Sequence, residues 1–261
     1  MSEQSRADHL NSDLKHMSPR DAGCTEIIHL DRIEISAEPF CWEFAAIRRT
    51  EISEHFANLK RKRSAVWNGR VLLLKRFWIR HATLFGSCFE TDYASFIAWH
   101  NWNCPDPTVY NFFAVAALRT ADGAYLVGEM APYTAGAGRL YFPGGTPDPS
   151  AINDRGTFDP LDHLSRELRE ETGISIDELD AEPGWVVVRD RCSLALIRRL
   201  TSRENADDLR RRVMRYLKGE QQPELSDMRI VRGPAQLDAR MPTFMTAFLL
   251  EQWRQGTAKM Y

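Results

Sequence analysis

No uninterrupted apolar stretch in these 261 residues approaches the roughly 20 that a membrane-spanning helix needs, so no spanning segment is expected. An excess of one charge is also missing. The 34 Lys and Arg stand against 36 Asp and Glu, a net charge of −2, which gives no general attraction to polyanions and disfavours a dedicated nucleic-acid binder. Cysteine is sparse and odd in number. Cys24, Cys41, Cys88, Cys104 and Cys192 are scattered without the close pairs that build zinc sites, and reduced thiols in a cytosol are the expectation. The seven histidines lack metal-ligand spacing such as H-E-x-x-H. TAGAG, residues 134–138, lacks the Lys-Ser/Thr of a phosphate-binding P-loop and reads as a mobile loop. The opening MSEQSRADHLNSDLKHMSPRDAG is too polar for a secretory signal, so a cytoplasmic protein is expected.

What is present, 43% hydrophobic and 27% charged residues, is ordinary for a globular chain. Residues 1–25 have little to bury and read as a disordered or loosely attached tail. IIHLDRIEI reads as one strand, and the run from Pro39 to Arg63 as one amphipathic helix. VLLLKRFWIR and HATLFGSCFE read as strands, and TDYASFIAWHNW as a helix capped by Thr91 or Asp92. CPDPTVYN has the composition of a connection, which sets a boundary between a mixed α+β N-terminal domain, residues 26–105, and a second domain, residues 106–261. In the second, NFFAVAALR and AYLVGEM flank a TADG turn, a strong hairpin signal. WVVVRD, SLALIRRLT and MRIVR read as strands. SRENADDLRRRVMRYLKG reads as a helix opened by Ser202 and closed by Gly219, and TFMTAFLLEQWRQ as a last helix.

LDHLSRELREETG is helical by period, with Leu161, Leu164 and Leu168 on one stripe and Gly173 as the stop. Glu167, Glu170 and Glu171 fall at i, i+3 and i+4, so three carboxylates share one flank. Like charges so placed repel by about 0.2–0.5 kcal/mol per pair. Arg166 and Arg169 partly compensate, which keeps a solvated helix face in play. Glu171, however, lies near the apolar stripe at the edge of the core, where a carboxylate needs a partner. Clustered acidic oxygens are the ligand set that hard cations prefer. Upstream, RLYFPGG reads as a strand ending in a tight glycine turn.

FPGG followed by RELREETGI resembles the signature of the Nudix hydrolases. In that family a Gly is followed by five residues, a Glu, seven more residues and Arg-Glu-U-x-Glu-Glu-x-Gly-U, U being a bulky aliphatic residue. The second half is complete in Arg166, Glu167, Leu168, Glu170, Glu171, Gly173 and Ile174. The first half departs from the pattern. Gly145 to Arg166 spans twenty-one positions where the family has fourteen, about seven extra, and the place of the first Glu falls on Phe158. Asp159 and Asp162 are the nearest acids, and Asp159 reads equally well as a helix cap.

The resemblance implies an α/β/α sandwich with a mixed sheet over residues 106–261. It also implies a Mg²⁺- or Mn²⁺-dependent diphosphatase that cleaves a nucleoside diphosphate linked to another moiety by water attack on phosphorus. Glu167, Glu170 and Glu171 would ligate metal, Glu167 also helping to activate water. Arg166 would orient a catalytic carboxylate through a bidentate contact, and the Gly144-Gly145 backbone would approach metal or phosphate. The general base in many members lies on a later loop, where Glu220 and Glu224 are the candidates. Arg189, Asp190, Arg191 and Cys192 fill the places that mark the ADP-ribose and dinucleoside-polyphosphate subclasses, so neither is supported. The two-part architecture, the interrupted signature and WNG, residues 67–69, resemble members that act on UDP-sugars, making a nucleotide sugar the expected substrate. The N-terminal domain is expected to shape the substrate site or form a homodimer contact. The alternative is a nucleotide-binding sensor on the same fold without turnover. Trp67, Trp78, Trp99 and Trp102 have the ring type to stack a nucleobase, but filling the core of the first domain is the expectation. The basic runs at 59–63 and 210–212 are expected on solvated faces, with Asp207–Arg211 and Asp208–Arg212 as ion pairs.

Overall fold

The computed structural model describes residues 25–63 and 66–258, so Cys24 and nearly all of the expected tail lie outside the described residues. The first expected strand is two. β1 (Glu26–Leu30) and β2 (Arg32–Ala37) part at Asp31, whose N–H and that of Arg32 both donate to the carbonyl of Ala82. The expected long helix is also two, α1 (Glu43–Ile47) and α2 (Arg49–Lys62), broken at Arg48, and Pro39 lies outside both. β3 (Arg70–Arg80) and β4 (Thr83–Asp92) form a hairpin. Asp92 then caps α3 (Tyr93–Asn101) by accepting the Ser95 N–H at 2.9 Å.

β5 (Asn111–Arg119) and β6 (Tyr125–Met130) flank the TADG turn, where Gly123 takes φ 82°. Short strands β7 (Leu140–Tyr141), β8 (Gly144–Gly145) and β9 (Thr157–Phe158) precede α4 (Pro160–Thr172). There follow β10 (Asp180–Ala181), β11 (Trp185–Asp190), β12 (Ser193–Thr201), α5 (Ala206–Leu217), β13 (Leu225–Val231) and α6 (Thr243–Ala258). α5 is capped by Asn205 and ends at Lys218, not at Ser202 and Gly219, because the Asn205 side chain accepts the Asp208 N–H. Its arginines pair differently from expectation: Arg211 with Asp208, Arg212 with Glu178 and Glu204, and Arg210 with Asp227.

Among the described residues, nine strands make one sheet with the central order β1-β11-β12-β5-β6-β13. β12 and β5 run parallel and the other pairs antiparallel, so the sheet is mixed. Alternation along β5 sorts its side chains onto two faces. Phe112, Ala114, Ala116 and Leu118 share one core with Leu164 and Leu168 of α4 and Leu209 and Val213 of α5. Val115 and Ala117 share the other with Phe244, Met245, Phe248 and Leu249 of α6. The result is the expected α/β/α sandwich on a mixed sheet. Leu161 departs from its stripe: it is 44% exposed at the first turn of α4.

The second sheet has the order β3-β4-β2-β9. One face contributes Ile33, Ile35, Leu72, Leu74 and Leu84 to the core beneath α4. The other packs Trp42, Ile52, Phe89, Phe96 and Trp99 together with residues of α1 to α3. The strands are not partitioned at residue 105. β1 pairs along its whole length with β11 of the large sheet, and β9, from the lengthened loop, pairs with β2 of the small one.

The expectation of reduced thiols does not hold for one pair: Cys104 and Cys192 are joined in a disulfide, while Cys41 and Cys88 are free. The fold brings them together because Cys104 follows α3 and Cys192 sits in the β11–β12 turn, both within the core around Trp99. Of the four tryptophans expected inside, Trp99 is fully buried, Trp78 stacks on Phe85 and Trp102 packs against Phe44. Trp67 is instead 77% exposed. No helix among the described residues is long and apolar enough to cross a membrane.

Candidate metal and phosphate site

The site begins with two glycines that have separate reasons to be glycine. Gly144 takes φ 134°, and a Cβ there would lie 2.1 Å from the carbonyl oxygen of Ala114, so only glycine lets β8 dock on β5. A Cβ on Gly145 would lie 2.8 Å from Glu167 Oε2, so its bare Cα leaves room for that carboxylate. The backbone is then used from both sides. Gly144 N–H donates to Glu171 Oε2 at 3.0 Å, and the Gly145 carbonyl lies 3.0 Å from His163 Nε2.

α4 carries the acids. Asp159 accepts the N–H groups of Leu161 and Asp162, each at 3.0 Å, so it is the cap. Gly173 closes the helix at φ 70°, with the Tyr216 ring filling the space a Cβ would need. The Tyr216 hydroxyl donates to the Glu170 carbonyl at 3.1 Å, so α5 holds the end of α4 that bears the carboxylates.

Glu171 is buried, as its place near the stripe implies. Burial first, then the charge of Glu167, pushes its carboxyl well above the ordinary range against the pull of the Gly144 N–H. Glu167 is pushed up to about 7 by burial and by Glu170 and Glu224, with Arg166 opposing. Partial removal from water, then Glu170, also raises Glu224. These four acids therefore feel one another, and among the described residues no Lys or Arg forms an ion pair with any of them. The Gly145 carbonyl can only accept, so His163 carries its proton on Nε2 and turns the Nδ1 lone pair toward Glu167 Oε1 at 3.7 Å. Burial lowers the pKa of His163, so the imidazole does not neutralise the acids.

Several expected placements change. Arg166 makes no bidentate contact with a carboxylate of the cluster. Its Nη1 donates to Ser150 Oγ at 3.2 Å, its Nε lies 3.5 Å from Asp162, and its Nη2 is buried without a partner. Asp148 accepts the Ser150 N–H and hydroxyl, so Arg166 ties the lengthened loop to the helix. Asp162 is engaged by Arg166 and Asp159 by the helix terminus, and neither joins the cluster. Phe158 lies in the core against Phe112. Glu224 joins the acids, whereas Glu220 stands beside Tyr216. Sequence reasoning missed His163 and Asp148. The first was legible as an i, i+4 neighbour of Glu167; the second, whose charge reaches Glu167, lies in the part of the loop without a template.

The donor set suits a hard divalent cation, because close carboxylates that are costly to ionise together are relieved by one. Among the described residues no group of three or more His, Cys, Asp or Glu side chains is placed to hold a metal ion. Glu167, Glu170 and Glu171 remain the acids expected to do so. A separate cavity of about 300 Å³ near Pro160, Trp185 and Arg198 contains none of these acids.

No family model matches the chain, and no curated protein is similar to it. Solved structures are similar to it. They include a Nudix hydrolase from M. smegmatis, RenU, at 16% identity over 57% of this chain and 86% of that one, TM-score 0.36. The MutT protein of Methanosarcina mazei Go1 has 16% identity over 56% and 95%, TM-score 0.36. The E. coli ORF135 protein has 17% identity over 57% and 94%, TM-score 0.35. Likeness at that level assigns neither activity nor substrate.

Proposed function

We propose that this chain is a divalent-metal-dependent Nudix-type diphosphatase that cleaves a nucleoside diphosphate linked to another moiety, a nucleotide sugar being the favoured substrate. The observation that carries this reading is the set of acids Glu167, Glu170, Glu171 and Glu224 gathered beside Gly144-Gly145, none of which forms an ion pair with a Lys or Arg among the described residues. When bound, Mg²⁺ or Mn²⁺ would screen the diphosphate and lower the pKa of the attacking water. Glu171 is aimed by the Gly144 N–H, and Glu170 is carried on the helix end braced by Tyr216. Glu167, whose Oε1 lies beside His163 Nδ1, is the first candidate to accept the water proton. Glu224 is the second candidate base. Water oxygen forms a bond to phosphorus, the bridging P–O bond breaks, and the water proton passes to the carboxylate. The products are a nucleoside monophosphate and the phosphate of the other moiety.

Phe158 supports one rival, a nucleotide sensor without turnover, because the place of the family's first Glu is taken by a core side chain. The test is incubation with Mg²⁺ or Mn²⁺ and a panel of nucleoside diphosphate conjugates. Release of mononucleotide is the expected result. Tight binding of one conjugate with no turnover of any would establish the sensor instead.

A further inference from the structure

Trp67 is the large aromatic side chain that the core leaves out. It is 77% exposed, although Trp42 and Trp99 nearby are buried and Trp78 and Trp102 have ring partners. An exposed indole on a surface loop would ordinarily call for no explanation. Here the loop is fixed and its position is specific.

The fixing comes from the two residues that follow. Asn68 Oδ1 accepts the Ala94 N–H at 2.7 Å, and the Gly69 carbonyl accepts the Tyr93 N–H at 2.8 Å, which pins the loop to the start of α3. A Cβ on Gly69 would lie 2.4 Å from the Trp67 ring, so the indole rests over the bare glycine backbone while the residue is 77% exposed. Each residue of WNG thus has its own part: platform, anchor and seat.

The position comes from the two ends of the span. On one side the Arg63 guanidinium donates to the Ala135 carbonyl, in the loop of residues 131–138. That loop begins at Ala131, whose N–H donates to the Glu224 carbonyl at 2.8 Å. On the other side the Leu72 N–H donates to the Pro147 carbonyl at 2.8 Å, two residues beyond Gly145. Arg63 is thus tied to the loop bonded to Glu224, and Leu72 to the segment just beyond the glycine turn, and Trp67 stands between them in the sequence.

We propose that Trp67 is the stacking platform for the nucleobase of the substrate, an inference that rests on the nucleoside diphosphate reading above. A base bound there would have its diphosphate on the side of the acids, and the flat π-face would accept purine or pyrimidine. The N-terminal lobe would supply recognition of the base while α4 and the glycine turn supply the chemistry.

The test compares Trp67→Ala, Trp67→Phe and Gly69→Ala with the unaltered protein. Binding of uridine and adenosine 5′-diphosphates and of base-free inorganic pyrophosphate is measured by calorimetry, and KM and kcat are measured on the best conjugate. Trp67→Ala should weaken binding of both nucleotides, and raise KM, on the order of 10-fold to 100-fold. It should leave pyrophosphate binding and kcat unchanged. Trp67→Phe should retain most of the affinity, and Gly69→Ala should lose part of it by displacing the ring. Equal nucleotide affinity in Trp67→Ala and the unaltered protein, or an equal loss for pyrophosphate, would overturn the platform while leaving the hydrolase intact. Trp67-dependent nucleotide binding without turnover would remove the hydrolase and keep the platform.

Discussion

Glu171 is placed unfavourably for folding, and the proposed function would give that placement a use. Its carboxylate is buried among other acids, and one backbone N–H is its hydrogen-bond partner. Glu171→Gln keeps the shape and an acceptor for Gly144 while removing the charge. In metal-free solution the variant should melt at a higher temperature than the unaltered protein. With Mn²⁺ present the order should reverse, and kcat should fall by about 100-fold or more. Full activity in this variant would remove Glu171 from the metal site. Glu167 predicts a pH dependence. Its carboxyl is raised from 4.5 to about 7 by folding, so between those values the folded state binds more protons than the unfolded one. Stability rises with pH only where the unfolded state binds more, so here this contribution falls as pH rises from about 4.5 to 7. Urea unfolding of metal-free protein across that window should show the decline, to which the raised Glu171 and Glu224 add, and Glu167→Gln should lessen it.

At the scale of elements, α4 and its preceding turn are where roles can be separated. Asp159→Ala should cost about 1 kcal/mol in denaturant unfolding, the loss of a cap, with activity per folded molecule little changed. A collapse of activity would make Asp159 a ligand after all. Gly144→Ala forces a side chain into the backbone of β5 at an unfavourable φ, and a loss of about 3 kcal/mol or more is expected. The elements that could be read from the sequence were those whose signals are local. The TADG hairpin, Asp92 as a cap and the stop at Gly173 each depend on residues a few positions apart. Glu171 at the core edge followed from helical period alone. The ends of α5 were misplaced because Ser202 and Asn205 are both good caps and tertiary packing chose between them. The contact of Arg166 differs from the expected one because its partner Ser150 belongs to a loop with no periodic pattern.

Across the whole molecule, what stayed hidden was long-range pairing. Nothing local distinguishes β1 as a strand of the large sheet, or TF at 157–158 as a strand of the small one. The same reason concealed the pairing of Cys104 with Cys192 across 88 residues. Alkylation of the denatured protein should therefore label Cys41 and Cys88 at once, and Cys104 and Cys192 only after reduction, as read by mass spectrometry. The shared core also predicts that residues 106–261 alone will not fold. That fragment lacks β1 and the apolar face of β2 and β3, which should show as absent amide dispersion in its NMR spectrum.

The lengthened loop of residues 146–158 works as a stitch. It leaves the glycine turn, is caught by Arg166 at Ser150, and returns through β9 along the edge of β2 before entering α4. Shortening it would uncover that edge and withdraw Phe158 from Phe112, leaving the β1–β11 pairing and the Cys104–Cys192 disulfide to hold the N-terminal elements to the rest of the molecule.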